Sequence, residues 1–454
     1  MPRITKGKVC VSVVLVLVLN CLLLWNMNQH KLQRRRAFDN WLNLSNPHML
    51  HVHKQLKKCS FEGGMQPNSS SVEAMETESP LKDSTPKCFY DGSLQFIYMT
   101  YSIKSAEQAK ESTVCLSSQT SVDNLFWVSE QVETWSGTAS VSVFVPDVDF
   151  TIALLVIKRM RECNPLVKRN VNFHFLYPID MPPILTEFEF KASKRDCMDI
   201  ENYNIELVYQ IRTQDLSLTL YKLKYPQNIL RNIARDECSS KYTFTPDIDM
   251  IATPKLHENL VKFLENESVE NCDKCAYIVP TYEIALKEKN PLDKLNLLKY
   301  IKRRKARVFH VRAFNLNQAN SRLSTWEVPP NSTDINVMYN INEYVQLWEP
   351  IYITKTLQLP KFDERFIGYG YTRNTQVLEM SVAGYTWLVL DTPFLSHRGF
   401  QSSKGRSRVR RKQIWENLKK FKGFRKELSK KYGIGSSDPR FGGKKDKKKS
   451  KKKG

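Results

Sequence analysis

The sequence predicts an α/β fold in which helices cover a mostly parallel central sheet, with a membrane-spanning helix in front of it. Two observations lead to this fold class. Between residues 113 and 177, short runs rich in β-branched residues alternate with stretches of helical periodicity. This order is typical of parallel strands joined by helical crossovers. Near the N-terminus, an apolar run approaches the length that crosses a bilayer.

The apolar run covers residues 9–25 and is interrupted only by Ser12 and Asn20. A cleaved signal peptide is the alternative, but the residues that follow lack the small side chains of a cleavage site. We therefore predict a cytosolic tail at residues 1–8, a retained signal anchor at 9–25 and a stem at 26–90. The stem is polar and rich in turn-forming residues, a composition typical of a spacer.

Sequons and cysteines predict the compartment of the remaining chain. Four sequons follow the predicted anchor, at Asn43, Asn68, Asn266 and Asn331. Eight cysteines also follow it, an even number that fits disulfide bonding in an oxidising compartment. Both observations favour a single-pass type II membrane protein with a lumenal domain. Cys272 and Cys275 have the spacing of half a zinc site, but no second pair follows, so a disulfide or two structural thiols is favoured.

Positive charge is concentrated at the C-terminal end. The formal net charge is +22, and residues 404–454 hold 22 Lys and Arg against 4 Asp and Glu. The preceding 403 residues carry a net charge of only +4. A nucleic-acid-binding fold is therefore not indicated, since such a fold spreads basic residues over one of its faces.

The body of the chain reads as an ordered series of strands and helices. Strands are predicted at 113–117, 141–145, 171–177, 241–245 and 276–279, and helices at 122–135, 150–160, 225–238 and 413–432. His174 falls within the third strand, where a hydrogen-bonded core histidine is the favoured interpretation. We expect the last helix to be basic and amphipathic, with its apolar side packed on the domain. The lysine-rich end is expected to be a solvated tail.

Two carboxylates directly follow the predicted strand at 241–245. Asp247 and Asp249 are separated by one residue, so both can reach one hard cation at the carboxyl end of a strand, where α/β sheets collect ligands. Such a cation would bridge the two phosphates of a nucleotide and neutralise a leaving group. The alternative is a pair of solvated turn carboxylates. The position after a strand in a lumenal chain favours the metal site.

Several short blocks, taken together and in this order, resemble glycosyltransferase family 49. The blocks are SVDNL at 121–125, YPQNILRN at 225–232, DIDM at 247–250, VPTYE at 279–283, WEPIY at 348–352, FDERF at 362–366 and HRGF at 397–400. The resemblance covers roughly residues 110–430. FDERF and HRGF resemble the β-1,4-glucuronyltransferase branch of the family more closely than its LARGE-type branch, whose members carry two catalytic units.

The resemblance implies a GT-A-type nucleotide-sugar-binding fold and an inverting, Mn²⁺-dependent transferase in the Golgi membrane. The implied donor is UDP-glucuronic acid, and the implied reaction is β-1,4 transfer to a xylose-terminated O-mannosyl-type glycan. It also implies Asp247, Asp249 and His397 as metal ligands, a set of two carboxylates and one imidazole that suits Mn²⁺. A catalytic domain at 91–432 and a basic tail at 433–454 complete the predicted organisation.

Five residues are predicted to contact the donor. Ser121 and Asp123 follow the first strand, where a nucleotide base and ribose would lie, and helix capping is the alternative for them. Asn228, Arg231 and Asn232 begin a helix near the metal motif. Arg231 could pair with a donor carboxylate or a phosphate, and a plain surface arginine is the alternative.

Asp363 and Glu364 are predicted as the general base. Inversion requires a group that removes the proton of the acceptor hydroxyl on the face opposite the leaving group. The alternative for this acidic pair is a salt bridge with Arg365. Three rival functions stay open: a UDP-N-acetylglucosamine transferase, a UDP-xylose transferase, and a catalytically silent lumenal protein that binds glycans.

Overall fold

A computed structural model of the chain describes residues 86–106, 112–186, 197–214, 223–403, 407–435 and 438–441. The predicted cytosolic tail, the anchor at 9–25 and nearly all of the stem lie outside these residues, as do Asn43 and Asn68. Across the described segments, no helix is both long and apolar enough to cross a membrane. The predicted anchor therefore stays a prediction.

A ten-stranded sheet and a four-stranded sheet organise the described chain. The strands are β1 (Cys88–Tyr90), β2 (Phe96–Ile103), β3 (Ser112–Ser121), β4 (Ala139–Phe144), β5 (Val171–Pro178), β6 (Ser240–Phe244), β7 (Met250–Ala252), β8 (Cys275–Ile278), β9 (Thr281–Ile284), β10 (Ala306–Val308), β11 (Val337–Ile341), β12 (Tyr352–Lys355), β13 (Thr386–Leu390) and β14 (Leu395–Arg398). The large sheet has the order β1-β2-β5-β4-β3-β6-β12-β8-β13-β11, and the small sheet has the order β10-β9-β14-β7.

The large sheet mixes parallel and antiparallel pairs, and most of its parallel pairs lie together near the centre. Neighbours β5–β4, β4–β3 and β3–β6 are parallel, as is the outlying pair β8–β13. The five other neighbouring pairs are antiparallel. The prediction of a mixed α/β fold is confirmed, but a mostly parallel sheet is wrong for the sheet as a whole. The physical reason is long-range pairing: β12 comes from a distant part of the chain and inserts antiparallel between β6 and β8.

Helices cover both faces of the parallel centre. The helices of the described residues are α1 (Trp127–Trp135), α2 (Asp149–Cys163), α3 (Pro165–Asn170), α4 (Ile200–Gln214), α5 (Gln227–Asp236), α6 (Leu256–Leu264), α7 (Glu267–Glu270), α8 (Lys294–Lys302), α9 (Leu316–Ala319), α10 (Leu323–Trp326), α11 (Arg373–Val382) and α12 (Arg408–Tyr432). Side chains alternate between the faces of a strand. Phe173 and Phe175 therefore join one core with Phe150 of α2, whereas Leu176 packs with Ile229 of α5 on the opposite face.

The small sheet brings two distant predicted site segments together. Strand β7 begins at Met250, one residue after Asp249, and β14 contains His397. These strands pair antiparallel with His397 opposite Met250. On its other side β14 pairs in parallel with β9, with His397 opposite Glu283. The sheet thus places His397 beside the acidic motif.

Helix α12 packs its apolar side on the domain, as predicted. Phe421, Phe424 and Leu428 are buried against a cluster that includes Phe366 and Leu378. Two glycines with left-handed backbones, at 368 and 370, allow this close approach. An added Cβ at 368 would lie 2.7 Å from the Gln413 amide oxygen of the helix. A side chain larger than hydrogen would therefore separate α12 from the loop that it covers.

Short segments just outside both ends of the predicted catalytic domain have regular secondary structure. Cys88–Tyr90, expected at the end of the stem, is the strand β1. Pro439–Phe441, expected within the solvated tail, forms a 3₁₀ turn and buries Phe441 in the cluster under α12.

His174 is buried as predicted: its Nδ1 accepts from the Tyr101 amide at 2.8 Å.

Three disulfides lie within the described residues: Cys115–Cys238, Cys163–Cys197 and Cys272–Cys275. The last pair settles the open choice between a disulfide and two structural thiols. The first links β3 to the segment between α5 and β6, and β6 leads directly into the acidic motif.

Candidate active site

The Asp247 carboxylate lies just beyond β6 and is held by side chains from three other elements. Its Oδ1 accepts hydrogen bonds from Nη2 of Arg231 on α5 and from Nη2 of Arg373 on α11, each at 2.8 Å. The Gln119 amide on β3 donates to the same oxygen at 3.3 Å. One oxygen of the predicted metal motif is therefore fixed by protein donors.

Two buried arginines keep Asp247 ionised. Arg231 is 3% exposed and Arg373 is 4% exposed, whereas 30% of the Asp247 side chain is exposed. Burial disfavours the carboxylate, but attraction to Arg373 and Arg231 outweighs it and holds the pKa of Asp247 well below its usual range. The Asp247 carboxylate thus interacts mainly with side chains of the protein.

Asp249 faces His397. Nε2 of His397 lies 3.4 Å from Oδ2 of Asp249, and Nδ1 lies 3.2 Å from the Gly399 carbonyl. Burial disfavours the imidazolium, but the Asp249 carboxylate more than offsets it and raises the pKa of His397. If Nδ1 donates to the carbonyl, the neutral ring presents the Nε2 lone pair to the carboxylate. Two such acceptors repel each other unless a proton or a cation lies between them.

The predicted three-residue metal site is assembled only in part. Asp249 and His397 offer an oxygen and a nitrogen close enough to bind one cation, and their chemistry suits Mn²⁺. Asp247 stands apart because its Oδ1 is taken by two arginines. Within the described segments, no group of three or more His, Cys, Asp and Glu side chains is arranged to hold a metal ion. The full ligand set therefore stays a prediction, and the Asp249–His397 pair is the part that fits a cation.

Arg231 is buried rather than a plain surface arginine. Besides Asp247, it donates from Nη1 to Oδ1 of Asn228 at 3.1 Å, and its guanidinium lies 5.4 Å from the centre of the Phe362 ring. Among the described residues, its buried Nε has no hydrogen-bond partner. Because Arg231 is only 3% exposed and its Nη atoms bind Asn228 and Asp247, the structure favours a positioning role.

Asn228 and Asn232 tie α5 to the loop that precedes α11. Asn228 is fully buried and donates to the carbonyls of Asp363 and Thr372 at 2.8 and 3.3 Å. Asn232 donates to the Phe362 carbonyl at 2.8 Å and accepts from the Phe362 amide at 2.9 Å. These contacts use the amides inside the protein, so both residues hold the site in shape.

The two predicted bases have different surroundings. Asp363 forms the salt bridge that was its alternative interpretation: Arg365 donates to both of its carboxylate oxygens and also pairs with Glu427. Glu364 accepts from Asn232 at 2.8 Å. Burial raises the pKa of Glu364, and the Asn232 hydrogen bond only partly offsets this effect. Of the two, Glu364 has the carboxyl that is not already neutralised by a bound arginine.

Ser121 and Asp123 belong to a separate ionic cluster. Ser121 precedes a 3₁₀ turn at Val122–Asn124, but its side chain makes no capping hydrogen bond and instead donates to Asp123 at 3.3 Å. Arg212 of α4 binds Asp123 at 2.7 and 3.0 Å and also pairs with Asp149. Helix capping by Ser121 is therefore wrong, while a nucleotide contact stays a prediction for both residues.

Sequence reasoning missed two groups beside the acidic motif. Arg373 begins α11, and nothing in its local sequence distinguishes it from other arginines. The second group is the buried Glu283, which accepts from Nε of Arg307 at 2.7 Å and from the His310 amide at 2.9 Å. Glu283 lies within a block that carried the family resemblance, which was the only available signal.

His310 has a buried ring nitrogen without a partner. Its Nδ1 makes no hydrogen bond to any described residue, and its backbone is left-handed with φ of 59°. The ring stacks on Phe309 at 3.8 Å between centroids, and Phe309 lies 5.4 Å from the His397 ring. Burial, followed by repulsion from His397, lowers the pKa of His310 to about 4, so its imidazole is neutral near pH 7. Unpaired polar atoms and positive φ are both typical of functional sites.

Comparison with known proteins shows which family the chain belongs to. A model of the family described as glycosyl-transferase for dystroglycan matches residues 113–433. The chain belongs to this family. It is therefore a glycosyltransferase with a mixed α/β fold.

Individual members of the family give the same result. The β-1,4-glucuronyltransferase 1 of Danio rerio is 28% identical over 417 residues, which cover 84% of this chain and 91% of that protein. The Mus musculus protein of the same name is 28% identical over 325 residues, covering 70% and 76%. The Homo sapiens xylosyl- and glucuronyltransferase LARGE1 is 24% identical over 348 residues, covering 75% of this chain but only 38% of that protein. This glycosyltransferase is thus of the β-1,4-glucuronyltransferase type.

Proposed function

We propose that this glycosyltransferase transfers glucuronic acid from UDP-glucuronic acid, with inversion and in β-1,4 linkage, to a xylose-terminated O-mannosyl-type glycan. The observation that carries the proposal is the similarity to proteins named β-1,4-glucuronyltransferase 1, which extends over 84% of this chain in one alignment. The resemblance of the 362–366 and 397–400 blocks to that branch supports the same donor.

Asp249 and His397 are the residues that would hold a divalent cation, for which we propose Mn²⁺. A bound cation supplies Lewis-acid stabilisation of the diphosphate leaving group. The protein's own part is to present the two ligands at one place. Strand pairing of β7 with β14 does this, because it sets His397 next to the residue that follows Asp249.

Arg231 and Arg373 fix Asp247, the other carboxylate of the motif. They bind it from two different helices, α5 and α11, and this arrangement holds the 245–250 turn in one conformation against the sheet. Electrostatic groups that are fixed before the reaction need no reorganisation during it. Of the two predicted bases we favour Glu364, because burial raises its pKa and no arginine among the described residues neutralises it.

The name of one relative supports UDP-xylose as an alternative donor. The relative LARGE1 is named a xylosyl- and glucuronyltransferase, so UDP-xylose is the main alternative to UDP-glucuronic acid. Analysis of the reaction product tests the proposal. We expect mass spectrometry to show one added glucuronosyl residue on a β-xyloside, and NMR to show a β linkage to O4. Addition of a different sugar, or an α linkage, would contradict it.

We also propose that the enzyme is a single-pass type II protein of the Golgi membrane with its catalytic domain in the lumen. The three disulfides support an oxidising compartment. The two sequon asparagines within the described residues, Asn266 and Asn331, are both exposed and thus accessible to glycosylation. In intact microsomes, we expect protease protection and an endoglycosidase-sensitive mobility. Digestion by external protease would contradict this topology.

A further inference from the structure

A continuous basic stripe runs along the exposed side of α12. Residues separated by three, four or seven positions lie on one side of a helix. On α12 this side carries Arg408, Lys412, Lys419, Lys422, Lys426 and Lys430, all of which are exposed. The helix rises about 33 Å from Arg408 to Lys430. We name these six residues the α12 stripe.

The stripe carries few acidic neighbours among the described residues. In the part of the chain that the structure describes, none of its six cations takes part in an ion pair. The two acidic residues of α12 are engaged elsewhere: Glu416 pairs with Lys224, and Glu427 pairs with Arg365. Like charges placed along one helix face repel each other, at a cost in stability. A face of this kind is complementary to a linear polyanion.

An aromatic ring lies within the stripe. Trp415 is 56% exposed, and Nζ of Lys419 lies 3.4 Å from its ring centre. This cation–π contact holds the indole in place beside the charges. An exposed, oriented indole offers an apolar surface on which the face of a sugar ring can stack.

The same helix has no apolar face left for a lipid surface. Interfacial helices bury a continuous apolar side in the headgroup region. In α12 that side, with Phe421, Phe424 and Leu428, is packed inside the protein. An acidic glycan therefore fits the stripe better than an anionic membrane does.

The first half of α12 lies next to the candidate active site. Arg410 stacks on the Tyr369 ring at 3.8 Å, and Asn417 donates to the Gly370 carbonyl at 2.9 Å. Three residues beyond Gly370, Arg373 binds Asp247. Arg410 and Asn417 lie on the side of α12 opposite the stripe, so a ligand on the stripe would lie one helix diameter, ~10 Å, from the loop that leads to the site.

We propose that the α12 stripe and Trp415 bind a linear acidic glycan that forms part of the acceptor. This inference rests on the proposed function for the direction in which the acceptor runs, but binding itself does not require catalysis. Recognition would come from anionic groups spaced along the chain, whether sulfate, phosphate or carboxylate, together with stacking of one sugar on Trp415.

Two matched charge variants of the full-length protein test the proposal. One replaces Lys412, Lys419, Lys422 and Lys426 with alanine. The control replaces four exposed lysines away from α12, namely Lys262, Lys287, Lys289 and Lys302. Both lose the same charge and keep the lysine-rich C-terminal end. The readouts are affinity for heparin as a sulfated glycan probe, binding to vesicles of equal parts phosphatidylserine and phosphatidylcholine, and transfer to a short neutral β-xyloside.

We expect the stripe variant to bind heparin roughly 10- to 100-fold more weakly than the control variant, since each exposed ion pair contributes modestly. Transfer to the neutral β-xyloside should be equal in the two variants, and Trp415→Ala should weaken heparin binding further. Equal heparin affinity of the two variants would overturn the proposal. So would a loss confined to vesicle binding, which would assign the stripe to a membrane surface. Failure of the wild type to act on the xyloside would instead count against the proposed function.

Discussion

Nε2 of His397 lies 3.4 Å from Oδ2 of Asp249, although the two residues are 148 positions apart in the sequence. Strand pairing between β7 and β14 brings them together. A neutral imidazole and a carboxylate at this distance form a favourable pair only with a proton or a cation between them. The relationship therefore identifies the two groups that a divalent cation would join.

Asp249→Ala should abolish most transfer while leaving the fold intact. Loss of a group that stabilises developing charge typically lowers turnover by about 10²–10³-fold. We also expect calorimetry to show weaker UDP binding in the presence of Mn²⁺, and little change in its absence. An Asp249→Ala protein that retains wild-type turnover, or a wild type unaffected by excess chelator, would refute the metal assignment.

Arg231→Ala should lower the stability of the protein and its use of every UDP-sugar alike. Removing one partner of a largely buried ion pair costs roughly 3 kcal/mol, and here Arg373 still compensates part of the Asp247 charge. Denaturant unfolding measures the loss, and donor kinetics measure its selectivity. A selective loss of UDP-glucuronic acid, with UDP-xylose unaffected, would restore the initial hypothesis that Arg231 contacts the sugar carboxylate.

Glu364→Gln should lower kcat by about 10²–10⁴-fold with little effect on donor KM, because that is the effect of removing a general base. Asp363→Asn should act mainly through its salt bridge, and Arg365→Gln is its matched control. If Asp363→Asn shows the large kcat loss and Arg365→Gln does not, the base is Asp363 and its ion pair opens during turnover.

We expect the unpaired Nδ1 of His310 to accept a hydrogen bond from a bound substrate, so His310→Gly should reduce kcat/KM by roughly 3- to 10-fold. Glycine accepts the left-handed backbone and keeps the amide that binds Glu283, so only the imidazole is lost. Thermal unfolding checks that the variant is folded. Unchanged kinetics in a folded His310→Gly protein would show that the unpaired Nδ1 has no part in the reaction.

Local sequence patterns predicted the strands and helices in the N-terminal part of the described chain. They did not predict how all of the strands pair. The alternation of β3, α1, β4, α2 and β5 was evident because each element carries its own periodicity. The antiparallel insertion of β12 was not, since strand pairing over a long separation leaves no local signal. The mixed sheet is the consequence.

Some residues of the candidate site could likewise be predicted from the sequence, and others could not. Asp247 and Asp249 were marked by their position after a strand, and His397 was reached only through the family resemblance. Arg373 and His310 were missed, because burial against Asp247 and an unpaired ring nitrogen are properties of the folded chain. Asn228 and Asn232 were placed correctly near the motif, but their amides are used within the protein.

The central claim is that this glycosyltransferase uses UDP-glucuronic acid and a divalent cation. The most direct measurement is the rate of transfer to a β-xyloside by the purified protein with UDP-glucuronic acid, UDP-xylose or UDP-N-acetylglucosamine, each with Mn²⁺ or with excess chelator. We expect glucuronic acid to be transferred fastest and excess chelator to stop the reaction. Preferential transfer of N-acetylglucosamine or xylose, or full activity in chelator, would contradict it.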